Sequence, residues 1–171
     1  MIQIIKQSIR FIVFLLVQLC VLNNLEIGLG IQLMIYPLFI FMLPLELNVF
    51  VIMLISFLFG YIIDLFSNTY GLHASAAVLL AYIRPYLLNF FEPRDGYGVN
   101  ANLAINSMGL SWFLYVFGLF LSIHFSWFFL MEQFNFNDFW FLIMKVFLSV
   151  LSSISLCIII QYTFLNKSDS R

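Results

Sequence analysis

Apolar residues run through the chain in six long stretches that are separated by short polar segments. The stretches cover about residues 4–22, 27–43, 47–66, 71–91, 107–131 and 139–165 of 171. The run VFVIMLISFLFGYII, which begins at Val49, does not alternate apolar and polar residues, so it favours a helix over the strand of a transmembrane barrel. About 20 apolar residues in a helix cross the hydrocarbon core of a membrane. The pattern predicts an all-α, polytopic membrane protein with six transmembrane helices in a single integral membrane domain.

The second stretch is the weakest of the six. It is short, and Pro37 lies near its middle. Proline removes one backbone hydrogen bond, so we expect a kinked helix at this position. A five-span alternative stays open because of the length of this stretch.

Charges in the connecting segments predict the orientation. With the N-terminus inside, the inner segments hold basic residues, namely Lys6, Arg10, Arg94, Lys167 and Arg171. The outer loops then hold acidic residues and no basic ones, namely Glu26, Glu132 and Asp138. Because cytoplasmic loops carry an excess of Lys and Arg, both termini are expected in the cytoplasm. A five-span chain would place Lys167 and Arg171 outside.

The composition agrees with membrane residence. Hydrophobic residues make up 64% of the chain and charged residues 9%, and the mean hydropathy is +1.07. Soluble domains contain about a quarter charged residues, so this balance does not fit a water-exposed surface. Five or six spans of about 20 residues use nearly all of the 171 residues, so we expect no separate soluble domain. Nucleic-acid binding has no support, since the few basic residues are spread over the whole chain. Cys20 and Cys157 lie in apolar stretches, where cysteine packs as a small hydrophobic residue.

The stretch from Phe57 to Pro85 places ionisable residues inside the apolar pattern. Asp64 lies near the end of the third stretch, a turn of composition SNTYG follows, and His73 lies near the start of the fourth. Ionisable residues inside a membrane are costly and are usually functional or paired. At 1.5 Å per residue, four such residues fall in the outer third of the membrane, namely Asp64, His73, His124 and Lys145. This placement predicts one polar cluster, with an ion pair between Asp64 and Lys145. The alternative is that Lys145 and His124 extend to the nearby interface.

Arg84 lies near the other end of the fourth stretch, directly before Pro85, and within reach of Glu46 or Glu92. Small residues follow one face of each stretch of this hairpin. These faces hold Ser56, Gly60 and Asp64 in the third stretch, and His73, Ala77, Ala81 and Arg84 in the fourth. Small residues let helices approach closely. We expect these faces to pack against other helices, either within the chain or in a partner.

Catalytic sequence motifs are absent. The chain has no G-x-S-G, no H-E-x-x-H and no glycine-rich phosphate loop, and two histidines with two isolated cysteines form no zinc spacing. A proton relay through Asp64 and His73 would rest on one carboxylate and one histidine. We therefore expect no enzyme, no metal site and no cofactor.

The hairpin resembles a known family. The pattern F-x-x-G-x-x-x-D-L-F-S-N-T-x-G-L-H-A-S-A from Phe57 to Ala76, followed by A-Y-I-R-P at Ala81 to Pro85, resembles the rod shape-determining protein MreD, in a form like that of the Bacteroidota. The Gly60-to-Asp64 spacing, Gly71 and Arg84-Pro85 carry the match. About 30 residues are specific, and the other stretches match in number and hydropathy.

The resemblance implies a non-catalytic subunit of the cell-elongation machinery in the bacterial inner membrane. Such a subunit pairs with MreC and helps couple the MreB filament to peptidoglycan synthases, namely RodA and its transpeptidase. It also implies the six-helix fold of the substrate-binding subunits of energy-coupling-factor vitamin transporters. Structural or partner-contact roles would fall on Gly60, Asp64, Gly71, His73, Arg84 and Pro85. The alternative function is a vitamin-binding transporter subunit. The outer loops are short and offer little cover for a binding pocket, which argues against this alternative.

Overall fold

The structure is a computed structural model that describes residues 2–25, 28, 30–98, 102–133 and 139–165. The described chain forms the helices α1 (Ile2–Cys20), α2 (Tyr36–Phe41), α3 (Val49–Ser67), α4 (Leu72–Phe90), α5 (Ile105–Met108), α6 (Leu110–Gln133) and α7 (Phe139–Ile160). A 3₁₀ turn, Leu22–Asn24, follows α1, and a π-helical turn, Gln161–Leu165, follows α7. The described residues include no β-strand. The prediction of an all-α fold is confirmed for this part of the chain.

Three stretches of helix are long and apolar enough to cross a membrane. They are Val49–Ser67, Leu110–Gln133 and Phe139–Thr163. The 19 residues of α3 measure about 28 Å, close to the ~30 Å thickness of the hydrocarbon core. Helices α1 and α4 also have 19 residues each. The fold is therefore a helical bundle like those of membrane proteins.

The second predicted helix departs most from the expectation. Residues 31–35 are not helical, and α2 has only six residues, all of them buried. Pro37 lies in the first turn of α2, where a missing N–H leaves no helical bond unmade. Proline therefore starts a short helix here and does not kink a long one. A six-residue helix is about 9 Å long and cannot span the membrane alone.

Helix α2 lies in the aromatic core of the bundle. The Phe41 ring is 5.2 Å from Phe117 and 5.4 Å from Phe120, both on α6 (centroid to centroid). At the other end of α2, Tyr36 stacks on Phe59 of α3 at 5.7 Å. Helix α4 packs against both α3 and α6, and α6 packs against α7. Both ends of α2 are therefore within reach of the α3–α4 hairpin.

Candidate functional site at the α3–α4 hairpin and the start of α2

The turn between α3 and α4 reverses the chain within four residues. Asn68 ends α3 in the left-handed conformation, with φ of 54°, and Tyr70 and Gly71 follow with φ of 48° and 93°. Asparagine and glycine tolerate this conformation well, whereas tyrosine does not. The Tyr70 side chain is 99% exposed. The tight reversal brings the last turn of α3 against the first turn of α4.

The Asp64 carboxylate closes this turn. Its Oδ1 accepts hydrogen bonds from Thr69 Oγ1 at 2.5 Å and from the His73 backbone N–H at 3.0 Å. Its Oδ2 accepts from the Ala74 N–H at 2.9 Å. The first N–H groups of a helix lack helical partners and carry partial positive charge, so a carboxylate is well placed there. Asp64 thus caps α4 from the neighbouring helix, and it is only 6% exposed.

Gly60 is the point of closest approach between α3 and α4. A Cβ atom added at Gly60 would lie 2.5 Å from Ala74 Cα and 2.6 Å from Ala74 N. These are backbone atoms, so no side-chain movement could make room. Since Gly60 and Asp64 are one helical turn apart, the absence of a side chain at Gly60 lets the Asp64 carboxylate reach the α4 amides.

His73 belongs to a second group of polar side chains, which surrounds Tyr36. Tyr36 Oη is 3.4 Å from His73 Nδ1 and 2.8 Å from His124 Nε2. Met34 Sδ lies 3.2 Å from the same His124 nitrogen. All four side chains are at most 3% exposed. His73 and His124 therefore share one cluster as expected, but the residue that joins them is Tyr36, which the sequence did not single out.

The non-helical segment before Tyr36 is held by side chains from α1 and α7. The Met34 N–H donates to Ser153 Oγ at 3.1 Å, and the Gln32 N–H donates to Ser149 Oγ at 3.1 Å. Gln18 of α1 accepts from the Ile35 N–H at 2.9 Å and donates to the Leu33 carbonyl at 3.0 Å. Non-helical backbone inside a membrane protein needs such partners. The signal in the sequence was the pair of serines one turn apart in an apolar helix, together with the lone Gln18.

Arg84 closes the other end of α2. Its Nε donates to the Phe41 carbonyl at 3.1 Å, and its Nη2 donates to the Leu43 carbonyl. The last carbonyls of a helix lack partners and carry partial negative charge, so a buried cation stabilises them. Arg84 is 2% exposed and uses these carbonyls in place of the expected Glu46 or Glu92. Pro85 lies inside α4, one residue beyond.

Polar side chains also hold the segment after α4. Tyr97 Oη donates to the Leu88 carbonyl at 2.7 Å, and Trp112 Nε1 donates to the Phe91 carbonyl at 2.9 Å. Partial burial, with a smaller effect of the Glu92 carboxylate, raises the pKa of Tyr97 to about 12. Tyr97 therefore keeps its proton, and its hydrogen bond, throughout the physiological pH range.

The structure does not bring Asp64 and Lys145 together as an ion pair. The acceptor atoms of Asp64 are used at the α4 N-terminus. Lys145 Nζ lies 5.1 Å from the Phe141 ring centroid and 5.6 Å from that of Phe129. The lysine stem runs against Gly30, where an added Cβ atom would meet Lys145 Cε at 2.6 Å. Local backbone donors have thus taken the place that the sequence-based hypothesis gave to Lys145.

The predicted site residues therefore fall into three places. Gly60, Asp64 and Gly71 lie at the α3–α4 contact and its turn. His73 joins that contact to the Tyr36 cluster, and Arg84 holds the far end of α2. Gly60, Asp64, His73 and Arg84 are buried within the chain, so they offer no surface to a partner in this conformation. Cys20 and Cys157 form no disulfide. Four charged residues of the sequence analysis lie outside the described residues, namely Glu26, Asp138, Lys167 and Arg171.

The hydrogen bonds of this site hold helices and the segment before α2 together. Within the described residues, no three His, Cys, Asp or Glu side chains are placed to hold a metal ion. Comparisons with protein-family models, with curated proteins and with solved structures find no match.

Proposed function

We propose that this protein is a non-catalytic, multi-pass subunit of a bacterial cell-elongation complex, similar to MreD. One observation carries the proposal: the residues that carry the resemblance serve to lock helices together. Asp64 caps α4, Gly60 permits the contact, and Arg84 closes α2. A rigid helical scaffold needs such contacts, whereas a catalyst needs polar groups that face an accessible cavity.

The membrane topology belongs to the same proposal. Three apolar helices support membrane residence, and the charge pattern favours a bacterial inner-membrane protein of six spans with both termini in the cytoplasm. In this arrangement residues 31–35 and α2 would form the second crossing together, as a discontinuous segment buried in protein.

The expected partners are MreC and, through it, MreB, RodA and its transpeptidase, besides membrane lipid. Because Gly60, Asp64, His73 and Arg84 of the motif are buried, partner contacts would fall on exposed apolar faces of the bundle. The α1 and α3 helices carry such faces, which include Ile9, Leu16, Phe50 and Leu54. The role of the motif would then be to keep those faces in a fixed relation.

Depletion of the protein in its native bacterium tests this function. We expect rod-shaped cells to widen and round up as the protein is lost, and re-expression of the unaltered chain to restore rods. Co-purification with MreC from the same cells is a second expected result. Cells that stay rod-shaped and grow normally after depletion would contradict the proposal.

The vitamin-transporter alternative is distinguished by binding. The cavities described on this chain are open grooves lined mainly by apolar side chains, which do not suit a polar vitamin. Saturable binding of a vitamin by the purified protein would favour the transporter subunit over the scaffold.

A further inference from the structure

Both histidines of the chain lie against one hydroxyl group in the core of the bundle. His73 Nδ1, Tyr36 Oη and His124 Nε2 follow one another in space, and we call these three atoms the His–Tyr–His row. The row joins α4 to α6 through the first residue of α2. All three side chains are buried, and the Phe128 ring covers the His73 ring at a centroid distance of 4.8 Å. Buried ionisable groups in a membrane protein are costly, and histidine chains among them commonly carry protons.

A count of protons shows what the His–Tyr–His row can hold. A neutral imidazole has one N–H group and one acceptor nitrogen, whereas a protonated imidazole has two N–H groups. The Tyr36 hydroxyl has one proton, so it donates to one nitrogen only. When both nitrogens of the row are acceptors, one of the two contacts therefore lacks a proton. One additional proton completes both hydrogen bonds, because Tyr36 then accepts from one histidine and donates to the other.

The two distances in the row are those of a row that lacks this proton. The 2.8 Å between Tyr36 Oη and His124 Nε2 is an ordinary hydrogen-bond length for a hydroxyl that donates to a nitrogen. The 3.4 Å between Tyr36 Oη and His73 Nδ1 exceeds the roughly 2.7–3.2 Å of an N–H group that donates to an oxygen. His73 Nδ1 is therefore the acceptor to which a proton can be added.

Each end of the row has a neighbour that suits a proton there. At the α4 end, the Asp64 carboxylate of α3 accepts from the His73 backbone N–H at 3.0 Å and is the charged group that acts on the His73 ring. The groups that donate to Asp64 are neutral, so its charge is available as a counter-charge. At the α6 end, Met34 Sδ lies 3.2 Å from His124 Nε2 and is a weak acceptor for an N–H group. The other titratable group that faces the two rings is Tyr36 of α2.

We propose that the His–Tyr–His row binds one proton and shares it between α4 and α6. With the proton on His73, Nδ1–H donates to Tyr36 Oη, and Oη–H donates to His124 Nε2. In the transfer step the Nδ1–H and Oη–H bonds break while a new Oη–H bond and an Nε2–H bond form. The charge thus moves from His73 to His124, and Tyr36 stays neutral. The proton comes from water at the α3–α4 turn, where Asn68 and Tyr70 are exposed. The inference does not need a role in cell shape, so the two proposals fail on separate measurements.

Solid-state NMR of the protein in liposomes, with ¹⁵N in the histidine rings, tests the site because the nitrogen shifts report which ring nitrogens carry protons. The single-histidine variant His124→Gln assigns the signals. From about pH 8 to about pH 4, which brackets the ordinary titration of histidine, we expect one proton to be taken up per chain, with the signals of both rings changing together. Independent uptake of two protons, no uptake by the folded protein, or a proton already on His73 Nδ1 at the start would overturn the proposal.

Removal of the bridging hydroxyl tests the sharing of the proton. Tyr36→Phe deletes a hydrogen bond to a charged group, so the affinity for the proton should fall at least roughly tenfold, and the two rings should no longer change together. Tyr97→Phe is the matched control, because Tyr97 donates to the Leu88 carbonyl at 2.7 Å, outside the row, and its loss should leave the affinity unchanged. Equal affinity in Tyr36→Phe and the unaltered chain would overturn the proposal. If Tyr36→Phe does not assemble, the joint change of both rings in the unaltered protein decides alone.

Discussion

Two polar regions of this bundle provide hydrogen-bond partners for buried backbone groups, and they do so in different ways. At the α3–α4 turn, a single carboxylate satisfies two backbone N–H groups and one hydroxyl, all within ten residues of Asp64. Before α2, three neutral side chains satisfy the backbone of residues 32–35, and one of them lies 119 positions away from its partner. The first region is charged and local, and the second is neutral and assembled from distant parts of the chain.

The difference concerns how each region forms. The carboxylate of Asp64 meets its donors as soon as α3 and α4 pair, since the connecting turn is short and loses little entropy on closure. The segment before α2 gains its partners only when α1 and α7 are both in place. Until then its N–H groups are unsatisfied in an apolar environment, which costs several kcal/mol. The hairpin is thus self-sufficient, and the segment depends on the complete bundle.

Loss of the carboxylate should have the largest effect. Asp64→Ala leaves the two α4 N–H groups and the Thr69 hydroxyl without their acceptor, so we expect a loss of about 3–5 kcal/mol in the free energy of unfolding. Reversible denaturation in mixed detergent micelles measures it. Asp95→Ala, at an exposed carboxylate, should change stability by less than about 0.5 kcal/mol. Equal stability of the two variants would show that Asp64 is not the cap of α4.

A substitution at the close contact between Gly60 and Ala74 should lower the free energy of unfolding by nearly as much. Gly60→Ala places a Cβ atom against the Ala74 backbone and should cost about 1–3 kcal/mol through separation of α3 from α4. Gly118→Ala is the matched control, because an added Cβ there meets only Ile154 Cδ1 at an ordinary 3.6 Å. That variant should be neutral or stabilised by about 0.5–1 kcal/mol. The same denaturation measurement compares them, and equal losses would contradict the close approach at Gly60.

The sequence predicted the α3–α4 turn better than the segment before α2. Asp64, Gly71 and His73 lie close together along the chain, and residue type alone indicates a turn, a left-handed glycine and a costly carboxylate. The depth estimate also brought His73 and His124 into one cluster. It could not show that backbone N–H groups would bind Asp64 more closely than Lys145, because hydropathy gives depth but no rotation about the helix axis.

The late start of the second helix was not predictable for a related reason. Residues 27–43 have the composition of an apolar helix, and only tertiary partners allow residues 31–35 to stay non-helical. Those partners, Ser149, Ser153 and Gln18, are common residue types far away in sequence. Arg84 lies near the end of α4, but the carbonyls of Phe41 and Leu43, at the end of α2 and just after it, take the place of its expected carboxylate partners.

Removing a hydroxyl group that holds the segment before α2 should reduce the stability of the protein moderately. Ser153→Ala leaves the buried Met34 N–H without an acceptor, which should cost about 1–2 kcal/mol. Ser155→Ala, two residues further along α7, removes an exposed hydroxyl that bonds only within its own helix and should be neutral. Equal stability of the two variants would indicate that the segment before α2 does not depend on α7.

Loss of the Lys145 charge should have the smallest effect, and it separates the observed geometry from the ion pair expected from the sequence. Lys145→Met keeps the apolar stem against Gly30 and removes the contacts of the ammonium group with the Phe129 and Phe141 rings. Such contacts contribute about 0.5–1 kcal/mol at partly exposed positions, so the loss measured by denaturation should not exceed that.

If Asp64 depended on Lys145, the lysine variant would lose as much stability as Asp64→Ala, because a buried carboxylate would be left without its counter-charge. The double variant makes the comparison stricter: independent sites give additive losses, and coupled sites do not. Additive losses would show that the carboxylate draws no stabilisation from Lys145.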